Sequence, residues 1–352
     1  MTNILDIGYE ELCRWLSSVG EPRFRARQIW SWLWEKGVMD FSEMTNVSKD
    51  LRRTMAEHWS MDIPEIHTVQ VSRDGTVKFL LLLKDGCLVE TVLIPDQDKL
   101  TQCLSSQVGC RMGCTFCSTG RMGYIRDMRA GEIAGQILAA RDYIKNNLPR
   151  SRLTNFVFMG MGDPLLNWGE MRRGLEIMHN PRGLNISKRR ITVSSVGFQG
   201  MLLRLGQSGL AMPAVSLHAP TQELRKSLMP RAARFELPEL IKELRQYPLQ
   251  PRERITIEYL LIDGLNDSLR QARQLVRLLN GLKCKINLIA YNPAGAEDIY
   301  RAPTSERILT FEKELWSKGL TATLRKSKGA DINAACGQLK TKMDTGEKDI
   351  AT

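Results

Sequence analysis

Cys110-Arg111-Met112-Gly113-Cys114-Thr115-Phe116-Cys117 sets three thiols on one short stretch with C-x3-C-x2-C spacing, preceded by Gly109 and followed by Ser118-Thr119-Gly120. Three thiolates on a short loop can converge on three irons of a cubane, which leaves the fourth iron without a protein ligand. An open iron can bind a small chelating substrate. A structural zinc site normally takes four protein ligands, and the nearest histidines in sequence, His67 and His179, are far from the loop. On spacing alone, zinc stays as the alternative. The remaining cysteines, at 13, 87, 103, 284 and 336, are scattered. That scatter argues for metal or redox chemistry over a disulfide framework.

Working outward, the chain downstream of about residue 101 alternates apolar strand-like runs with amphipathic stretches. Strands are expected at 155–159, 190–194, 214–217, 256–261, 285–289 and 321–324, and helices at 130–145, 170–179, 237–246 and 268–279. This alternation implies an α/β fold with a parallel sheet flanked by helices. Upstream, apolar stripes at 9–19 and 26–34 predict a small helical module, with Trp30 and Trp34 on one face as core residues. A hairpin is expected from 66–72 and 77–83 around Arg73-Asp74-Gly75-Thr76, then a strand at 87–94. The expected domains are an accessory unit over 1–95, a catalytic unit over 96–338 and a polar, Lys-rich tail over 339–352 that is poorly ordered.

A chain of 352 residues, 43% hydrophobic and 25% charged, has the composition of a globular enzyme. No apolar run reaches the roughly 20 residues a bilayer requires, and the first residues lack the layout of a signal peptide. A cytoplasmic location is expected, with no membrane partner. The net charge of +11 is unevenly spread: residues 1–100 hold 12 Lys and Arg against 16 Asp and Glu, so the excess lies downstream. Lys188-Arg189-Arg190 and Arg325-Lys326 with Lys328 form basic clusters suited to phosphate backbones; on charge alone a merely solvated surface is an equal alternative.

The cysteine loop, with Phe116 before its last cysteine, resembles the signature of the radical-SAM superfamily. So does Phe158-Met159-Gly160-Met161-Gly162-Asp163-Pro164 at a predicted strand end, where glycines permit close approach of a ligand. A narrower resemblance extends over about residues 5–340. Cys103-Leu104-Ser105-Ser106-Gln107-Val108-Gly109-Cys110, the segment ending at Asn167, Ser187 to Thr192, Ser216-Leu217-His218-Ala219-Pro220, Ile286 to Pro293, and Asp331 to Leu339 are all similar to the RlmN/Cfr family of RNA adenine methyltransferases. The resemblance implies a partial (βα)6 barrel with a helical N-terminal accessory domain. It also implies a 4Fe–4S cluster held by Cys110, Cys114 and Cys117, and two molecules of S-adenosylmethionine (SAM) per turnover.

By the same resemblance, one SAM methylates Cys336. A second, cleaved at the cluster, gives a radical that takes hydrogen from the S-methyl group, and the resulting methylene radical adds to an adenine carbon that has no lone pair. Glu90 then takes the ring proton, and Cys103 attacks the Cys336 sulfur, releasing methylated RNA and leaving a disulfide. Implied SAM contacts are Gly162, Asp163, Ser194, Ser216, Leu217, His218 and Asn292. Two positions depart from the family pattern: Asp163 stands where Glu is more common, and Asn333 where Asp is more usual. Cys13, Cys87 and Cys284 match no family role. Implied RNA contacts are Lys188, Arg189 and Arg190.

The expected substrates are 23S rRNA at the peptidyl-transferase centre and tRNA beside the anticodon, with methylation at carbon 2 of adenine. The electron donor is a flavodoxin or ferredoxin, and the enzyme a monomer. Two alternatives stand beside this: Cfr-type methylation at carbon 8, and a non-catalytic zinc or iron–sulfur RNA-binding module.

Overall fold

The computed structural model describes residues 1–293 and 298–341. Ten strands form one continuous sheet: β1 (Glu65–Val71), β2 (Val77–Leu82), β3 (Leu88–Asp96), β4 (Lys99–Cys103), β5 (Arg152–Phe158), β6 (Ile191–Ser195), β7 (Met212–Ser216), β8 (Ile255–Leu261), β9 (Cys284–Ala290) and β10 (Ala322–Arg325). Neighbours in space follow the order in sequence. The strands β1 to β4 run antiparallel, and β4 to β10 run parallel. The helices at Ala130–Asn147, Trp168–His179, Leu237–Arg245 and Leu269–Leu279 fall where the amphipathic stretches predict them.

The parallel strands divide their side chains by face. On β8, Ile255, Ile257, Tyr259 and Leu261 are fully buried, and Tyr259 stacks on Phe311 of the helix Ser305–Ser317. The alternate residues Thr256, Glu258 and Leu260 line cavities on the inner side. Period-two alternation thus gives an apolar outer layer under the helices and a polar lumen.

Two expectations need correction. The boundary drawn between 95 and 96 falls inside β3, because β1 to β3 extend the same sheet as the parallel strands; the helical module upstream shares one apolar core with them. The parallel set also contains a strand the sequence reading omitted, β4, whose Lys99, Thr101 and Gln102 break the apolar signal. Trp30 and Trp34 are buried as expected; the first helix segment, Phe24–Trp30, continues into a π-turn at Ser31–Lys36. Most of the expected tail, from 342 onward, lies outside the described residues.

Residues 329–341 cross back over the inner face and are pinned at several points. Asp331 accepts from Ser72 Oγ at 2.5 Å and from the Arg73 amide at 3.2 Å, while the Gly329 amide donates to Asp74 at 3.0 Å. The Ser118 amide donates to the Gly337 carbonyl at 2.7 Å, and Thr119 Oγ1 to the Leu339 carbonyl at 2.6 Å. Asn333 takes a left-handed conformation, φ 53°, which its short polar side chain tolerates. These contacts carry Cys336 from the far end of the sequence to the end of the cysteine loop, beside Cys117.

Candidate active site

Cys110, Cys114 and Cys117 line an inner cavity of about 150 Å³ at the C-terminal ends of the parallel strands. The loop is held by the Thr115 amide donating to Leu228 and the Cys110 amide donating to Gly123. Burial raises all three thiols above their ordinary range, Cys110 to about 12, so iron binding must displace their protons. Among the described residues, no three His, Cys, Asp or Glu side chains stand together as a site for a single metal ion.

The other side of the cavity comes from strand ends. Gly162 has φ 93°, and a Cβ there would meet Gln107 Cβ at 2.5 Å, so this position requires glycine. Asp163 spends its carboxylate within the protein, accepting from the Val196 amide at 2.9 Å, Ser195 Oγ at 3.0 Å and the Leu165 amide at 3.0 Å. Burial still raises its pKa to about 6. Its role in this geometry is to tie the glycine turn to the end of β6. Ser194 and Ser216 approach each other at 3.4 Å on adjacent strands, both facing the cavity.

His218, at φ 55°, accepts from the Leu260 amide through Nδ1 at 3.0 Å and meets the Phe116 ring edge-on at 5.0 Å. Burial lowers its pKa to about 3. A neutral ring that accepts at Nδ1 carries its proton on Nε2, giving one N–H donor at the cavity. Leu217 is different from its neighbours: its side chain is fully buried in the core, leaving only backbone to meet a ligand. Asn292 lines the outer cavity described next, and its buried Nδ2 has no partner among the described residues.

The outer cavity, about 500 Å³, adjoins the inner one; Met159, Glu258, Ile289 and Cys336 line both. Cys103, at the end of β4, lines it too, as do Arg189, Arg190, Lys285, Arg325, Lys326 and Lys328. Both cysteines are free thiols. Cys336 is exposed to the cavities yet mostly surrounded by protein, which lifts its thiol to about 11; the Glu258 charge acts in the same direction. Burial raises Cys103 further.

Two expected residues sit differently. Glu90 faces the strand of Cys103 but lines neither cavity: Oε1 is 2.9 Å from Lys78 Nζ, and Oε2 accepts from the Lys340 amide at 2.8 Å. Burial raises its pKa and Lys78 opposes the rise. Lys188 is turned to Glu253, at 2.8 and 3.0 Å, so its charge is locally cancelled. Arg189 and Arg190, both exposed, are the members of that basic run that reach the outer cavity. Glu258 was not singled out from sequence, although a lone acid in the otherwise apolar run Ile255–Leu261 is a signal for an inward-facing functional group.

Residues 104–276 match the model of the Radical SAM superfamily, and residues 2–61 that of the Ribosomal RNA large subunit methyltransferase N-terminal domain. A solved radical SAM methyltransferase from Sphaerobacter thermophilus superposes with a TM-score of 0.90 at 41% identity, covering 97% of this chain and 99% of that one. The parallel strands, the three-thiol loop and these matches define a radical SAM methyltransferase, working with a 4Fe–4S cluster and SAM.

Curated relatives fix the family. The dual-specificity RNA methyltransferase RlmN of Oleidesulfovibrio alaskensis is 59% identical over 97% of this chain and 96% of its own length. That of Nitratidesulfovibrio vulgaris is 57% identical over 97% and 95%. The chain belongs to the RlmN family. The residues present fit the group it requires: three thiols around one cavity, a neutral imidazole donor and bare glycine backbone at Gly160 and Gly162 on its wall, with an unpartnered amide at Asn292 in the adjoining cavity.

Proposed function

We propose that this chain methylates carbon 2 of adenine in RNA, in 23S rRNA at the peptidyl-transferase centre and in tRNA beside the anticodon, by way of a methyl group carried on Cys336. The observation that carries the reading is that Cys336 lines both cavities while Cys103 lines the outer one. The names of the curated relatives, dual-specificity RNA methyltransferases, support RNA as substrate. Cys110, Cys114 and Cys117 hold the cluster, and Gly162, Ser194, Ser216, His218 and Asn292 hold SAM. The bound pair supplies a carbon radical by reductive cleavage of SAM.

The chain's residues divide the remaining work. Cys336 accepts a methyl group on sulfur and presents it between the two cavities. A target base, swung out of its RNA loop, enters the outer cavity. Arg189, Arg190, Arg325, Lys326 and Lys328 meet its phosphates. The adduct loses the ring proton and passes its unpaired electron back to the electron carrier. The Cys103 thiolate then attacks the Cys336 sulfur; the S–C bond breaks, the departing methylene takes up a proton to become the methyl group, and a disulfide forms as the methylated base leaves. Glu90 takes the ring proton once the 339–341 segment and Lys78 release its carboxylate. The enzyme acts as a cytoplasmic monomer with a flavodoxin or ferredoxin as donor; no helix among the described residues is long and apolar enough to cross a membrane.

The test is anaerobic reconstitution with iron, sulfide, SAM, dithionite and an rRNA fragment, followed by mass spectrometry of the RNA. The expected product is 2-methyladenosine. A product methylated at carbon 8, or a colourless zinc protein that leaves SAM intact, would overturn the reading.

A further inference from the structure

Glu258 sits at the junction of the two cavities. It lies on the inner face of β8, in register with Ser216 on one side and Asn287 on the other. Its side chain is almost fully buried, with 4% of the residue exposed. Oε1 accepts from Asn287 Nδ2 at 2.9 Å, and Asn287 Oδ1 in turn lies 3.4 Å from Arg325 Nε. Among the described residues Oε2 has no hydrogen-bond partner. Of the acids around the cavities, Asp163 is spent on its own loop and Asp96 is an exposed strand end. Among the acids of the described residues, Glu258 alone lines both cavities beside Cys336 with an oxygen unspent.

We propose that Glu258 is a catalytic residue of the RNA step, donating a hydrogen bond from its carboxyl to the ring nitrogen that flanks the carbon being methylated, N1 in adenine. The proposal rests on the adenine reading above. A carbon radical bearing a sulfur substituent is electron-rich, and it adds faster to a ring carbon whose neighbouring nitrogen is protonated or hydrogen-bonded. The bond that forms joins the Cys336 methylene to the ring carbon; the ring C–N π bond opens and the unpaired electron is left delocalised over the ring. Glu258 keeps its proton through the cycle, so nothing is consumed at this residue.

Donation requires the neutral carboxylic acid, and the surroundings favour it. Burial pushes Glu258 up to about 7, against the pull of Asn287, Arg325 and Lys285. The other groups facing it, Ser216, Thr256 and His218, are neutral, and Cys336 is a thiol. A base filling the outer cavity removes water and shifts the balance further toward the acid.

The test uses reconstituted holoenzyme and an rRNA fragment whose target adenosine is replaced by 1-deazaadenosine or 7-deazaadenosine, reading RNA methylation per methylated Cys336. Wild type should lose about a hundredfold on the 1-deaza substrate and little on the 7-deaza one. Glu258→Ala should lose a similar factor on adenosine and nothing more on 1-deazaadenosine, the signature of a shared interaction. Glu258→Gln keeps an N–H donor and the acceptor for Asn287, so it should stay within about tenfold of wild type. Its rate should also stay flat between about pH 6 and pH 8, where the wild-type rate falls as the carboxyl ionises.

Equal wild-type rates on adenosine and both analogues would overturn the proposal even if the alanine variant fails to fold. So would a glutamine variant as slow as the alanine one, or a 1-deaza penalty that persists in Glu258→Ala. A penalty confined to 7-deazaadenosine and lost in Glu258→Ala would support Glu258 while overturning carbon 2 as the target. No RNA methylation by wild type would overturn the parent reading and this one with it.

Discussion

Replacing Lys78 by methionine removes the cation paired with Glu90 and exposes how that carboxylate is stored. The two side chains are 10% and 4% exposed, and their charged atoms are 2.9 Å apart. Leaving one member of such a buried pair uncompensated costs about 3–5 kcal/mol. Glu90 has an escape, since it can protonate, at about 1.4 kcal/mol for each unit by which the pH exceeds its pKa. Its pKa is already raised by burial and only restrained by Lys78, so the variant should raise it further.

The sign follows. A carboxyl whose folded pKa is above its unfolded value contributes stability at low pH and loses it as pH rises through the folded pKa. Lys78→Met should therefore cost about 3 kcal/mol near pH 8 and less near pH 5.5, where Glu90 is more easily protonated. The double variant Lys78→Met, Glu90→Gln should return to within about 1 kcal/mol of wild type at both pH values, because the buried charge is gone. Urea unfolding at the two pH values, compared at constant slope, measures this. A pH-independent cost, or strictly additive single variants, would refute the buried pair.

Four further outcomes are expected. Charge removal at Arg189, Arg190 and Lys326 together should weaken RNA binding and lower the salt slope by about 0.7–0.9 for each phosphate that is no longer neutralised. Lys188→Ala, whose charge Glu253 already cancels, should leave the slope unchanged in the same filter-binding titration. Gly162→Ala, which would drive a Cβ to 2.5 Å from Gln107 at φ 93°, should lower SAM affinity at least about tenfold by equilibrium dialysis. His218 itself should show no titration step between about pH 5.5 and pH 8, since it is held neutral down to about 3; following the ring's NMR signals across that range, with and without SAM, checks it.

What the sequence disclosed and what it hid divide along physical lines. The cysteine loop was legible because its ligands are local, and the parallel strands were legible where the outward-facing residues form an apolar row, as Ile255, Ile257, Tyr259 and Leu261 do. Strand β4 was not, because it is short and carries Lys99, Thr101 and Gln102. Lys188 read as a free cation because its partner, Glu253, is brought near only by the fold. Asp163 read as a shortened ligand, whereas three donors from its own loop and from Ser195–Val196 occupy its carboxylate. Glu90 was singled out only by the family resemblance, and its closure by Lys340 depends on the C-terminal segment folding back. The adjacency of Cys103 and Cys336 at one cavity is tertiary information, supplied beforehand only by resemblance.

The central claim is that these two cysteines share one covalent task, and Cys103→Ala tests it most directly. Reconstituted Cys103→Ala holoenzyme, given SAM, reductant and an rRNA fragment, should accumulate a protein–RNA adduct on denaturing gels, with peptide mapping placing the link at Cys336. Adding Cys336→Ala should abolish the adduct. Methylated RNA released at the wild-type rate by Cys103→Ala, with no adduct, would contradict the account.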